Sequence, residues 1–107
     1  MLLTANEKSG IVLLGAKCVG HKALETLIAA DAPVAGVITV SGNESEALCA
    51  TAKNHEIPCY VDLRLKTRDD QDKLLDLDAL VALSVSYPKL IPARVLSSFR
   101  GRAYNFH

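Results

Sequence analysis

Three things are scarce in this chain. The first is charge of one sign: in 107 residues, twelve lysines and arginines face twelve aspartates and glutamates. That balance argues against a general electrostatic footprint for nucleic acid and against a polybasic membrane anchor, leaving room only for a local basic patch. The second is cysteine. Cys18, Cys49 and Cys59 are odd in number, and no two stand in C-x-x-C spacing. The set does not read as a disulfide framework, a zinc or redox reading is weak, and reduced thiols in a cytoplasmic protein are the expectation. The third is any long apolar run. No segment is long enough to cross a bilayer, so no membrane partner is expected. Met1–Gly10 lacks the basic region followed by a long apolar stretch that a signal peptide needs, and is expected to be a flexible leader (residues 1–10).

What is present is alternation. Half of the chain is hydrophobic, and the apolar residues come in short continuous runs separated by amphipathic segments. Ile11–Gly15, Val34–Val40, Cys59–Val61, Ala79–Ser86 and Arg102–His107 read as strands. Between them, Gly20–Ala30 reads as a helix with Ala23, Leu24, Leu27 and Ile28 on one face. Ser41 and Glu44 have capping-box spacing and open a second helix to His55, with Ala47, Leu48 and Ala52 inward. Thr67 caps a short third helix to Asp76. Pro92 stands in the first turn of a fourth helix to Ser98. Strands alternating with helices imply right-handed crossovers and a parallel sheet covered on both faces. The expected fold class is therefore α/β: a Rossmann-like doubly wound parallel sheet of about five strands in order 3-2-1-4-5. Ligands bind such sheets beyond the strand C-termini, where the strand order reverses. The segments Gly15–Gly20 and Ser86–Ile91 are expected to flank that crevice.

Three segments carry possible chemistry. Gly15-Ala-Lys-Cys-Val-Gly20 joins a strand to a helix. It fits neither a dinucleotide fingerprint, which needs a glycine where Lys17 stands, nor a P-loop, which needs Gly-Lys-Ser/Thr where Gly20-His21-Lys22 stands. A turn needing flexible backbone and an anion site formed by helix N–H groups are both open for it. Tyr87-Pro-Lys-Leu-Ile91 is a stiff loop bounded by prolines, with apolar side chains and backbone groups that suit a flat heteroaromatic ligand; an ordinary connection is the alternative. Asn105 and His107 fall on the same side of a strand at its C-terminal end. There a histidine can move a proton and an amide can donate to an oxygen gaining negative charge. His21 and His55 are expected to be solvated, and the mixed charges from Arg64 to Lys73 to form a solvated loop and helix face.

Read in order, I-V-L-L-G-A-K-C-V-G, A-L-V-A-L-S-V-S-Y-P-K-L-I-P and G-R-A-Y-N-F-H resemble the folate-dependent formyltransferases, the family of glycinamide ribonucleotide transformylase, methionyl-tRNA formyltransferase and the sugar N-formyltransferases. The resemblance spans nearly the whole chain after residue ten, making residues 11–107 part of the family's N-terminal folate-binding domain. It implies that Asn105 polarises the formyl oxygen and His107 manages the proton of the attacking amine. It implies that Tyr87, Pro88, Lys89, Leu90 and Ile91 hold the pterin of 10-formyltetrahydrofolate, and that Gly15, Ala16, Lys17 and Gly20 face the acceptor. The family also supplies a catalytic Asp beyond the Pro- and Leu-rich stretch that follows the His. The chain ends at His107, so the expectation is a fragment that is inactive by itself. A G-T-P-x-F-A type first loop is not seen, so a sugar amine or other small-molecule amine, with no nucleic acid, is the expected acceptor. The exposed fifth strand is expected to permit a homo-oligomer. Two other readings are a nucleotide-binding module without chemistry and a degenerate structural remnant.

Overall fold

A computed structural model describes residues 9–63 and 65–106. Five strands are found: β1 (Gly10–Gly15), β2 (Val34–Thr39), β3 (Cys59–Val61), β4 (Ala79–Val85) and β5 (Ala103–Phe106). Four helices connect them: α1 (Lys17–Ala29), α2 (Asn43–Asn54), α3 (Arg68–Leu75) and α4 (Ala93–Ser98). The strands form one sheet in order β3-β2-β1-β4-β5, and every pairing is parallel. This is the Rossmann-like arrangement that the alternation implied. The expected leader lies outside the described residues up to residue 8. Gly10 already belongs to β1, its N–H donating to the Asp78 carbonyl at 2.8 Å.

The central strands are apolar on both faces because helices cover both. On one face, Leu13 and Val37 pack with Leu24 of α1 and with Leu48 and Ala52 of α2. On the other, Val12, Leu14 and Ile38 pack with Leu74 of α3, Val95 of α4 and Phe99 at the end of α4. Each fully buried leucine contributes roughly 2–3 kcal/mol of transfer free energy. The polar groups taken inside are paired: Thr39 Oγ1 donates to Ser45 Oγ at 3.1 Å in the core between β2 and α2. No buried side-chain polar atom among the described residues lacks a partner.

Several local expectations change. The first helix begins at Lys17, three residues before Gly20, so most of the expected Gly15–Gly20 loop is helical. Gly42 replaces Ser41 at the second N-cap, and no side chain caps that end. The Ser41 N–H donates instead to Asp62 Oδ1 at 2.9 Å. Ala47 is exposed and Ser45 is buried, so the inward face of α2 is rotated toward the residue that meets Thr39. Pro92 is the N-cap of α4 rather than a residue of its first turn. Thr67 does cap α3, its Oγ1 accepting from the Asp70 N–H at 3.2 Å. His21 is half-buried, its Nε2 lying 2.8 Å from Thr51 Oγ1, and so links α1 to α2. His55 is exposed, as expected. The cysteines are free, but Cys49 and Cys59 are not scattered: their sulfurs lie 3.2 Å apart.

Gly10 is required by a close approach. A Cβ there would collide with the Asp78 carbonyl oxygen and come within 2.9 Å of Ala35 Cβ. Backbone cannot swing aside as a side-chain tip can. Gly10→Ala is expected to destabilise the fold by about 1–3 kcal/mol. Urea unfolding should show a lower midpoint with an unchanged slope; an unchanged midpoint would mean the contact is not close in solution.

Candidate functional site

The strand order reverses between β1 and β4, and the connections leaving those two strands stand side by side. The Ala16 N–H donates to the Val85 carbonyl at 3.3 Å, and the Ser86 N–H to the Phe106 carbonyl at 3.2 Å. Lys17 and Ser86, the residues just past or near these strand ends, both adopt positive φ (65° and 54°). Such backbone is uncommon for residues with a Cβ. Here it turns the chain sharply off two neighbouring strands at the point where ligands bind in this architecture.

The Tyr87–Ile91 loop separates two clefts. The first, about 430 Å³, lies between this loop and β5, with Ala82, Ser84, Leu96, Ala103, Tyr104 and Asn105 completing its wall. Parallel pairing explains the composition. Ala82 stands opposite Ala103 and Ser84 opposite Asn105, and period-two alternation sends these four to one face of the sheet. The other parity, Tyr104 and Phe106, is about half exposed. The cleft thus combines apolar walls with the small polar groups of Ser84 and Asn105, the Tyr87 and Tyr104 phenols and Lys89. Among the described residues, none of the N–H groups of Tyr87, Lys89, Leu90 and Ile91 donates to another part of the chain. Leu90 is 95% exposed.

The second cleft, about 890 Å³, lies on the other side of the loop and is closed by Val40, Asp62, Leu63, Leu65, Lys66 and Pro92. Hydrogen bonds from Ser41, side chain first and backbone second, hold the Asp62 carboxyl below the usual carboxylate range, with the charge of Lys89 adding to the effect. Burial pushes the Tyr87 phenol up, and the negative charge of Asp62 adds to the shift. Asp62 therefore connects the loops after β2, β3 and β4 electrostatically. Sequence reasoning read only Arg64–Lys73 as a solvated charge run and gave Asp62 no role. Its one legible signal was the brief strand ending at Val61, because a strand end on this side of the sheet opens onto the crevice.

The sequence-derived residues are distributed as follows. Tyr87, Pro88, Lys89, Leu90, Ile91 and Asn105 meet in the first cleft. Gly15, Ala16, Lys17 and Gly20 line neither cleft. Gly15 and Gly20 touch one another, since a Cβ on Gly20 would sit 3.1 Å from the Gly15 carbonyl carbon. Close strand-to-helix packing thus gives both glycines a reason independent of any ligand. His107 lies outside the described residues. Among the described residues no group of three or more His, Cys, Asp and Glu side chains could hold a metal ion, and no helix is long and apolar enough to cross a membrane.

No family model matches the chain. Among curated proteins it is similar to the methionyl-tRNA formyltransferase of Lactobacillus delbrueckii subsp. bulgaricus, 27% identical over 92% of this chain and 34% of that protein. It is also similar to the methionyl-tRNA formyltransferase of Buchnera aphidicola subsp. Acyrthosiphon pisum, 32% identical over 94% of this chain and 35% of that protein. The chain spans about a third of the length of the curated relatives it matches. Both relatives are named for a tRNA, which overturns the expectation of a small-molecule amine acceptor with no nucleic acid. That expectation leaned on overall charge balance and on one missing loop motif. Net charge averages over a whole surface and says nothing about a local acceptor contact.

The Asp62 environment can be checked by titration. Its carboxyl should titrate below the ordinary value of about 3.9, and Ser41→Ala should raise the midpoint toward that value, as read by carbon-detected NMR. The folded-state value is lowered, so the associated stability is present above the unfolded value and lost as pH falls through the folded one. An Asp62 midpoint that does not move in Ser41→Ala would remove Ser41 as the cause.

Proposed function

We propose, starting from a chain related to the formyltransferases over most of its length, that it carries the donor side of a formyl-transfer site. The donor is 10-formyltetrahydrofolate and the acceptor is the amino group of methionyl-tRNA, the substrate for which the relatives are named. One observation carries this reading: the Tyr87–Ile91 loop and Asn105, singled out separately in the sequence, line one cleft.

The cleft fits the donor's chemistry. Its volume is within the range of small-molecule sites, roughly 300–1,000 Å³. Leu90, Ile91 and Leu96 offer apolar surface to a flat pterin, while the loop N–H groups, which bond no other described residue, can bond the ring's polar edge. In formyl transfer the amine nitrogen attacks the formyl carbon, and the formyl oxygen gains negative charge. A fixed amide N–H donor at that oxygen stabilises the charge where it develops, and that is the role of Asn105. His107 takes the proton released by the attacking nitrogen, a task suited to a group titrating near neutral pH. No carboxylate is among the described residues lining this cleft. The described residues of the cleft therefore support donor binding and oxygen polarisation, and none of them supplies a carboxylate that could orient a histidine. The chain by itself is expected to bind the donor without sustained turnover. Gly15–Gly20 packs against the end of β4 and is the acceptor-facing edge in this reading.

Thermal unfolding with a stable reduced folate, 5-formyltetrahydrofolate, tests the proposal. A ligand that binds only the folded chain raises the melting temperature by mass action, by about 2.7 kcal/mol of stability at a hundredfold excess over Kd. A saturable rise is expected; no rise at millimolar folate would sink the reading.

Leu90→Ala gives an independent check. Leu90 is almost fully exposed, so the change should leave unliganded stability within about 0.5 kcal/mol. It should weaken folate binding several-fold in calorimetric titration. Unchanged affinity would place the pterin elsewhere.

A further inference from the structure

We propose that Cys49 and Cys59 form a dithiol pair that a small-molecule disulfide converts to an intramolecular disulfide joining α2 to the edge strand β3. The two residues come from different elements and are ten apart in sequence, yet Cys59 donates its S–H to Cys49 Sγ across 3.2 Å. A disulfide needs about 2.05 Å between sulfurs, so little more than 1 Å of approach, on the order of a side-chain torsion adjustment, closes the bond. β3 is the outer strand of the sheet, paired on one side only, and can accommodate such a shift more readily than β1 or β4. Both side chains are partly exposed, so a reagent can reach them.

The chemistry divides between the two sulfurs. Burial, reinforced by the hydrogen bond and charge of Cys49, pushes the Cys59 thiol up to about 12. Cys59 therefore keeps its proton at neutral pH, and Cys49, which receives that S–H, makes the first attack. With oxidised glutathione, the Cys49 thiolate forms a bond to one glutathione sulfur and expels the other as a thiolate, which takes up a proton. In the mixed disulfide the Cys49 sulfur can no longer carry a charge beside Cys59, removing one of the causes that hold the proton on Cys59. Cys59 then loses its proton, attacks Cys49 Sγ and releases the second glutathione thiolate. Two protein thiols are oxidised, one glutathione disulfide is reduced to two thiols, and two electrons are transferred.

The bond would lie on the face of the sheet covered by α1 and α2, where Cys59 packs against the Leu13, Val37 and Leu48 cluster. Three residues beyond Cys59, Asp62 holds the Ser41 N–H at 2.9 Å and helps wall the second cleft. Oxidation would tie this edge of the crevice to α2.

The test is oxidation of the folded, unmutated chain with oxidised glutathione, followed by trypsin digestion under non-reducing conditions. Cleavage after Lys22, Lys53 and Arg64 places Cys18, Cys49 and Cys59 on three separate peptides. The expected product is Ala23–Lys53 linked to Asn54–Arg64, about 2 Da lighter than their sum and released by reductant. Cys18, which is exposed, serves as the control because its glutathione adduct shows that the reagent is active. Cys59→Ser should halt the reaction at a glutathione adduct on Cys49. If Cys18 is modified while the other two peptides stay unlinked, or if they link only after unfolding in urea, the proposal is overturned.

Discussion

The parallel pairing of β1 with β4 is the constraint on which the rest of this molecule depends. It joins the first strand of the chain to the fourth, with register running from Gly10 opposite Ala79 to Gly15 opposite Val85. β2 and β3 then lie on one side and β5 on the other. Each crossover between parallel neighbours must be right-handed, so the reversal of direction puts α1 and α2 on one face and α3 and α4 on the opposite face. The same reversal sends the connections leaving β1 and β4 to opposite faces of the sheet, opening a crevice between them. Gly10 allows the start of this pairing to close, and the contact between Gly15 and Gly20 allows its end to turn directly into α1.

Placement of the Tyr87–Ile91 loop follows from that geometry. The loop leaves β4 at the crevice and is bracketed by Pro88 and Pro92, which restrict its backbone. It stands between two clefts: one completed by β5, the other by the loops after β2 and β3. Tyr87 and Leu90 line both clefts, Tyr87 feeling the charge of Asp62 in the second, while Ile91 lines the first. One stiff segment can therefore contact a donor on one side and respond to charge on the other. That economy is available because the ends of successive parallel strands all face the same way.

Much of this was legible in the sequence. Strand positions agreed to within about a residue because buried parallel strands are continuous apolar runs that need no partner to be recognised. Thr67 was legible as a cap because capping is local. The discrepancies arise where a distant residue decides. The early start of α1 goes with Ala16 bonding the Val85 carbonyl at the end of β4 and Lys17 turning through a positive φ, neither of which a local pattern announces. The inward turn of α2 reflects Ser45 finding Thr39 as a buried hydroxyl partner, leaving Ala47 outside. His21 appears solvated on its own helix, yet Thr51 of the neighbouring helix claims it. The acceptor was misread because overall charge and one loop motif were asked to report on a surface they do not describe.

By itself the sequence determined the class of fold, the strand order, the helix-bearing segments and the identity of the groups available at the strand ends. Apolar runs, prolines and glycines act over a few residues, and the handedness of parallel connections does the remainder. Only the tertiary structure decided which of those groups meet. It put Asn105 opposite Ser84 and beside the Tyr87–Ile91 loop, kept Gly15–Gly20 as a packing contact, made Asp62 the hub of three loops, and brought Cys49 and Cys59 within 3.2 Å. Those outcomes depend on the register between strands far apart in the chain. Register is fixed by the packing of both sheet faces at once rather than by any residue's own preference.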